Sequence, residues 1–427
     1  MENTFGRRDF LKTASVAAAG ITFVKPASVF GTPANSSVQL GIIGCGGRGT
    51  GDATSFMNST DTKVVAIADL FEDRLMKGKE NFNKLSRDKG YPEIKDTNLF
   101  LGSKAYMRLL ECKDVDAVLI STPPFLHPKH LNATVDAGKH VYCEKPVAVD
   151  THGCRQVIWA GRKASNRLSL AVGFQIRHAT PFVEMVRRIH AGAIGDIVAG
   201  QAYYLAGAIN FPPTPGMSPD ELRLRHWVHD QALSGDILVE QGIHVVDVCN
   251  WVLQSHPVKA TGSGGRKGRT DAGNCWSHYN VNYEYPNSVH VTFQSTQFDP
   301  GLGDVNERFF GTKGVSESHY SGGVFIKGEN EWDSGVPRAG QQVSSKDWAV
   351  GAFKSALEDA DPNKEKAFVE SIKSGNFINE ADRGAESAMS AILGRTAAYT
   401  GEEVTWDEIC TSDEKWDPMV NMEQYDK

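Results

Sequence analysis

Residues 38–49 read VQLGIIGCGGRG, a β-branched run that passes without a break into glycines at 44, 46, 47 and 49. A run of this kind ending in a glycine turn fits a strand buried on both faces, which is the usual state of a strand in a parallel sheet. Gly44, Gly46 and Gly49 stand at the GxGxxG spacing, and each has its own task. The first permits a tight turn, the second lets the backbone approach a pyrophosphate, and the third allows close packing of a helix whose first N–H groups face the phosphates. Glycine-rich turns are common, so the motif alone is weak. A second strand, KVVAIAD, strengthens it by ending at Asp69, 20 positions past Gly49. A carboxylate there accepts hydrogen bonds from ribose hydroxyls and repels a 2′-phosphate. These residues predict an NAD site, with NADP disfavoured, and Gly47 and Arg48 in the same loop join the cofactor-binding set.

Strand and helix patterns then alternate. VDAVLIST (115–122) and HVYCEKP (140–146) read as strands, PKHLNATVDAGK (128–139) and THGCRQVIWAGRKAS (151–165) as helices, and LSLAVGF (168–174) as a further strand. Such alternation predicts a doubly wound parallel sheet, with ligands at the carboxyl ends of its strands. That rule aligns Thr122, Pro123, His127, Glu144 and Lys145 with the glycine loop. Residues 83–102, rich in Lys, Asp, Gly and Asn, read as a surface insertion. From about 196 onward, IVAGQAYYLAG, KATGSGG, HYNVNYEY, SVHVTFQST and NERFFGTKG are short β-rich segments typical of an antiparallel sheet. The fold class is therefore α/β, a doubly wound nucleotide domain (35–175) followed by an α+β domain with an open, mostly antiparallel sheet (176–410). The helix at 382–400 is expected to pack back on the first domain, and 411–427 forms a tail.

The first residues differ in character. GRRDFLKTASVAAAG (6–20) has the order of a twin-arginine export signal, assigned to residues 1–34. Its apolar stretch, broken by Lys12 and Lys25, falls short of the ~20 residues a membrane span needs. The expectation is export to the periplasm through the twin-arginine translocase, with no membrane anchor. Charged residues make up 23% of the 427 and the net charge is -7, with no basic block beyond the signal, so nucleic acid is an unexpected partner. The seven cysteines are scattered, without a CxxC pair, which supports neither a disulfide framework nor a zinc ribbon.

GIIGCGGRG, STPPFLH, AGKHVYCEKPVAV, GFQIRHATPF and GDILVEQGIHVVDVCNW together resemble the glucose-fructose oxidoreductase, inositol dehydrogenase and rhizopine catabolism family, Gfo/Idh/MocA. The resemblance runs from about Val38 to Trp406. It implies a Rossmann domain joined to an open-sheet domain, hydride transfer between a nicotinamide and hydroxyls of sugars or polyols, Lys145 of the EKP tripeptide as catalytic lysine, and a homodimer or homotetramer. Where the family places Asp, three residues, then His, this chain has Glu240 and His244.

Alcohol oxidation by hydride transfer needs a base for the hydroxyl proton and a cation or donor to hold the oxygen. Lys145 suits the second task. If VEQGIHVVDVCNW is one α-helix, Glu240, His244 and Asp247 share a face. His244 then accepts the proton, and Glu240 orients it; both, with Lys145, His226 and Trp227, make up the substrate-binding set. A divalent metal on the same three residues is the rival reading, but no HExxH or Cys pair supports it, and no metal is expected. His127 and Arg177 are cofactor candidates, Asp236 a supporting partner, and Trp251 and Trp276 further sugar-stacking candidates. The Pro-rich stretch 210–235 reads as a loop over the pocket, with His226 and His229 as alternative bases. The expected activity is oxidation of a sugar or glycoside hydroxyl on a tightly held NAD. The alternatives are a redox-neutral NAD-dependent glycosidase and a non-catalytic sugar sensor.

Overall fold

The computed structural model describes residues 37–211, 215–298, 303–337 and 356–426. The twin-arginine reading of residues 1–34 lies outside the described residues. The first sheet comprises β1 (Gln39–Ile43), β2 (Lys63–Asp69), β3 (Leu99–Leu101), β4 (Ala117–Ile120), β5 (His140–Cys143) and β6 (Leu170–Val172). Its order is 3-2-1-4-5-6 and all its pairings are parallel. Leu40, Ile42, Val118, Leu119 and Tyr142 are fully buried because helices cover both faces, which explains the unbroken apolar runs. The order reverses beside β1, so the crevice between β1 and β4 opens above the glycine turn.

Residues 83–102 are not an insertion. They complete a helix at Glu72–Asp88 and supply β3, the edge strand, where Asn98 Nδ2 donates to the Val65 carbonyl at 2.9 Å. A three-residue edge strand carries too few positions to show a period.

The second sheet has nine strands among the described residues, in the order β14-β13-β12-β11-β7-β10-β9-β8-β15. These are β7 (Ile197–Ala206), β8 (Lys259–Gly265), β9 (His278–Tyr285), β10 (Val289–Gln297), β11 (Asp304–Gly311), β12 (Gly314–His319), β13 (Phe325–Gly328), β14 (Trp332–Asp333) and β15 (Val404–Thr405). β7 and β10 run parallel and every other neighbouring pair antiparallel. Along β9 and β10 the side chains alternate: Tyr279, Val281, Tyr283, Val291 and Phe293 are buried, while Asn280, Asn282, Thr292 and Gln294 face out. Helices Ile243–Leu253 and Ala381–Thr400 cover the inner face, and the latter also packs on helix Thr151–Ala164 of the first domain. It thereby joins the two layers.

Glu307 on β11 is fully buried under this layer. Ser318 Oγ donates to its Oε2 at 2.8 Å, while Oε1 has no partner among the described residues. Burial pushes its carboxyl up to about 8. The native state therefore holds a proton that the unfolded chain has released above its ordinary pKa of about 4.3, so stability falls as pH rises from there to about 8, and is flat beyond. Glu307→Gln is expected to raise stability by up to about 3 kcal/mol at pH 8 and to change little at pH 4.5. Thermal melts of the two proteins at both values check this; an equal shift at both would show that the gain is not linked to that proton.

Candidate active site

One cavity of about 1090 Å³ runs along the carboxyl ends of β1, β2, β4 and β5 and passes under β7 and the segment before β8. Its floor is the glycine turn. Gly44 has φ +99°, and a Cβ there would lie 2.8 Å from the Ser121 carbonyl carbon. At Gly49 a Cβ would lie 2.1 Å from the Gly44 oxygen, so only glycine lets helix Gly47–Ser59 seat this close. Among the described residues no side chain caps that helix at Gly46, and a Cβ at Gly47 would meet nothing within 4 Å. Among the described residues the first-turn N–H groups therefore stand unpaired beside open space. That cradle fits a pyrophosphate, and Asp69 lines the cavity wall beside it. Asp69 also braces the turn: its Oδ2 accepts from Cys45 N at 2.7 Å and its Oδ1 from Phe71 N at 2.9 Å. Burial raises its pKa despite these bonds.

Thr122, Pro123, His127, Glu144 and Lys145 all line the cavity, as the strand-end rule requires. The His127 ring bridges the two loops, with Nδ1 2.7 Å from the Pro146 carbonyl and Nε2 2.7 Å from that of Thr122. Across from them, Lys145 Nζ donates to the Glu240 carbonyl at 2.7 Å and to its Oε1 at 3.1 Å. His244 lines the same wall, its ring stacked 6.1 Å from that of Tyr204 on β7, and its Nδ1 has no partner among the described residues. Burial first, then the nearby Lys145 cation, push its pKa well below the usual imidazole range, which leaves it neutral at physiological pH.

The helix carrying these groups departs from expectation. Leu238–Gly242 is a π-turn, followed by α-helix Ile243–Leu253. Glu240 and His244 face the cavity, but Asp247 does not: it is buried against Arg177, whose Nε and Nη2 donate to its carboxylate at 2.8 and 2.9 Å, and against Ser387. The reading of Arg177 as a cofactor contact is corrected for the same reason, since it stands outside the cavity lining and pairs with Asp247 over the Trp251 ring. The π-turn breaks the α spacing at Glu240, while Asp247, on the regular helix three residues past His244, is drawn aside by its bonds to Arg177 and Ser387.

Other sequence candidates are also moved. His226 stacks on Phe211 at 4.2 Å, and it is Phe211, not the imidazole, that reaches the cavity. His229 gives its Nε2 to the Ile209 carbonyl, so neither is placed as a base. Trp227 lines the cavity and packs against the cluster of Phe71, Leu224 and Leu233. Trp251 and Trp276 lie outside the lining; Trp276 packs on Tyr279 and Tyr399. Asp236 is buried at the knot where Trp276 N, Tyr399 Oη and Ile237 N converge. The stretch read as a loop folds as short helices, Pro219–Arg225 and Gln231–Ser234, capped by Ser218 and Asp230. Among the described residues no group of three or more His, Cys, Asp or Glu is placed to hold a metal ion.

Several lining residues were missed: Arg74, Gln175, Tyr204, Gln241 and Asp361. Tyr204 was available from the alternation of β7. Asp361 was not, because it comes from a helix, Ala360–Ser374, that docks on the glycine-loop helix from far along the chain. There it enters a buried ionic cluster. Arg48 Nη2 lies 3.1 Å from Asp52, 3.2 Å from Glu144 and 3.2 Å from Asp361, and Lys364 Nζ lies 2.7 Å from Asp361 and 3.6 Å from each of the other two. Arg48 thus lines the cavity with its guanidinium already engaged. Burial raises the Asp52 pKa well above normal, while at Glu144 burial is outweighed by Arg48, Lys364 and Lys145. Burial thus favours the protonated form of Asp52, and in that form two cations face two carboxylates.

Comparison with known proteins agrees with this architecture. Residues 38–173 match the oxidoreductase family with NAD-binding Rossmann fold, and residues 182–317 match the GFO/IDH/MocA C-terminal domain. A glycosyl hydrolase family 109 protein of Shewanella pealeana is 28% identical over 217 residues, 47% of this chain and 46% of that protein. Inositol 2-dehydrogenase of Salmonella typhimurium is 27% identical over 219 residues, 51% of this chain and 55% of that protein. The chain thus spans about half the length of the curated relatives it matches. The crystal structure of aldose-aldose oxidoreductase from Caulobacter crescentus, complexed with glycerol, superposes with a TM-score of 0.66 at 20% identity, covering 86% of this chain and 99% of that one. With both domain models matched in order and the glycine cradle facing the EKP lysine, the chain belongs to the Gfo/Idh/MocA oxidoreductase family, and its first domain is an NAD-binding Rossmann domain.

Proposed function

We propose that this protein oxidises a hydroxyl of a sugar or glycoside on a tightly held NAD, and that it is exported with the cofactor in place. The observation that carries the reading is the convergence of Lys145, Glu240 and His244 on the cavity whose floor is the glycine cradle. NAD, when bound, would be held by the first-turn N–H groups and Asp69 and would supply the acceptor for the carbinol hydride. Lys145 moves its ammonium from the Glu240 carboxylate to the substrate oxygen, which lowers the pKa of the hydroxyl. His244, neutral because it is buried beside a cation, takes the hydroxyl proton. Glu240 then offsets one of the two positive charges left on Lys145 and His244. The carbinol C–H bond breaks as hydride leaves, and a carbonyl remains.

Export is supported by the paired arginines Arg7 and Arg8 ahead of a short apolar run. A periplasmic enzyme of this kind has no pool of free NAD, so its cofactor must return to its starting state on site. A second carbonyl substrate does this. The second reading, a redox-neutral glycosidase, does it within one turnover: oxidation acidifies the neighbouring C–H, the aglycone is eliminated, water adds and the hydride returns. The relatives named glycosyl hydrolase favour keeping that reading. A homodimer or homotetramer through the outward face of the second sheet completes the proposal.

Purified protein is incubated with sugars and glycosides while the absorbance of its nucleotide is followed. A rise in reduced nucleotide with a keto-sugar product is the expected result. Free aglycone without net reduction moves the assignment to the glycosidase, and nucleotide that never changes with any sugar leaves the sensor.

A further inference from the structure

Residues 412–426 lie beyond both matched family domains, yet they reach the cavity wall. We propose that this segment is part of the dinucleotide site, seated over its adenosine side, and that it sets how fast the cofactor leaves. The inference rests on the reading of a retained NAD and supplies a physical cause for the retention.

The segment is fixed firmly at its start. Arg395, fully buried, donates to both Glu414 oxygens at 2.9 and 2.8 Å and to the Val149 carbonyl at 2.8 Å, with its guanidinium 3.9 Å from the Trp416 ring. Trp416 N donates to Asp150 at 2.8 Å. From this anchor the chain crosses the short helix Pro219–Arg225, where Arg223 donates to the carbonyls of Pro418 and Met419 and Asp220 accepts from Asn421 N. That helix is itself tied to the nucleotide domain, since Arg225 donates to both Asp73 oxygens and lies 3.9 Å from the Phe71 ring.

The far end lands on the strand ends that flank Asp69. Tyr425 meets the Phe71 ring edge-on at 5.2 Å, and Asp426 accepts from Ser103 N at 2.5 Å and from Ser103 Oγ at 2.8 Å. Gly102 N in turn donates to the Asp69 carbonyl at 3.0 Å. Between anchor and landing, Met422 reaches the cavity and packs with Phe71 and Leu224. A dinucleotide with its pyrophosphate on the glycine turn has its adenosine at Asp69, so this segment lies across the way out. Past Trp416 the contacts are mostly exposed hydrogen bonds, which open more readily than the buried Arg395 anchor. The far half is therefore a gate hinged at Trp416.

The test loads the full chain, a chain ending at Trp416 and the double variant Tyr425→Ala/Asp426→Ala with NADH, then follows its release by fluorescence after dilution into excess NAD. The truncated chain is expected to release NADH at least about ten-fold faster, and the double variant to fall between. Affinity for ADP-ribose should weaken in parallel, with that for nicotinamide mononucleotide unmoved. Equal release rates from all three proteins overturn the inference. Should the truncated chain not fold, by circular dichroism, the double variant decides alone. Full chain that binds no NADH at all sinks the underlying dinucleotide reading instead, so the two failures are distinguishable.

Discussion

Lys145→Met is expected to lower kcat/KM for the sugar by roughly 10³-fold or more, because under the proposed mechanism it removes the cation that holds the reacting oxygen at the moment its proton leaves. Methionine keeps the stem and most of the buried volume, so the cavity shape should survive. The change strands the Glu240 carboxylate, which is only 11% exposed and loses its Lys145 partner at 3.1 Å. The double variant Lys145→Met/Glu240→Gln separates the two effects: it should recover stability lost through the unpaired carboxylate without recovering turnover. Steady-state kinetics with thermal melts on both proteins give the answer. NADH affinity near the parent value, with turnover lost, places Lys145 in chemistry; turnover near the parent rate would remove it from the mechanism.

Lys364→Met should be the most damaging change outside the cavity. Its Nζ is almost fully buried among Asp361, Asp52 and Glu144, at 2.7, 3.6 and 3.6 Å, so its loss leaves two charged carboxylates facing Arg48 alone. Breaking one partner of a buried ionic group costs about 3–5 kcal/mol. The cluster joins helix Ala360–Ser374 to the glycine-loop helix and to Glu144, next to the EKP lysine, so the loss is expected to weaken nucleotide binding along with stability. Chemical denaturation with nucleotide titration tests this. A variant as stable as the parent would mean that Asp361 and Glu144 take up protons or water at no cost, and the account of a charge-balanced cluster would fail.

Much of the fold was legible because burial leaves a period in the chain. β1, β2, β4 and β5 are covered on both faces and read as unbroken apolar runs; β9 and β10 are covered on one face and read as alternation. The glycine cradle was legible for a different reason: at Gly44 and Gly49 the backbone conformation and the close approach exclude every other residue. β3 escaped because a three-residue edge strand has no period to show. The folded stretch over the cavity escaped because its helices are shorter than the window that reveals a helical pattern, even though Ser218 and Asp230 cap them.

Side-chain direction was the harder matter. Arg177, His226, His229, Trp251 and Trp276 belong to residue types suited to binding, and each is turned toward a protein partner instead: Asp247, Phe211, Ile209, Arg177 and Tyr399. None of those partners is recognisable from residue type or spacing. Chain order and local period determined which strands form, where the dinucleotide cradle sits and that Lys145 stands beside it, because these follow from backbone conformation and burial within a few residues. Only the tertiary structure decided that Glu240 and His244 face Lys145 while Asp247 turns away, that Lys364 balances the charges behind the cradle, and that residues 412–426 cross its adenosine end. Those outcomes depend on contacts between segments up to several hundred positions apart, and their distances are set by packing, on which local sequence is silent.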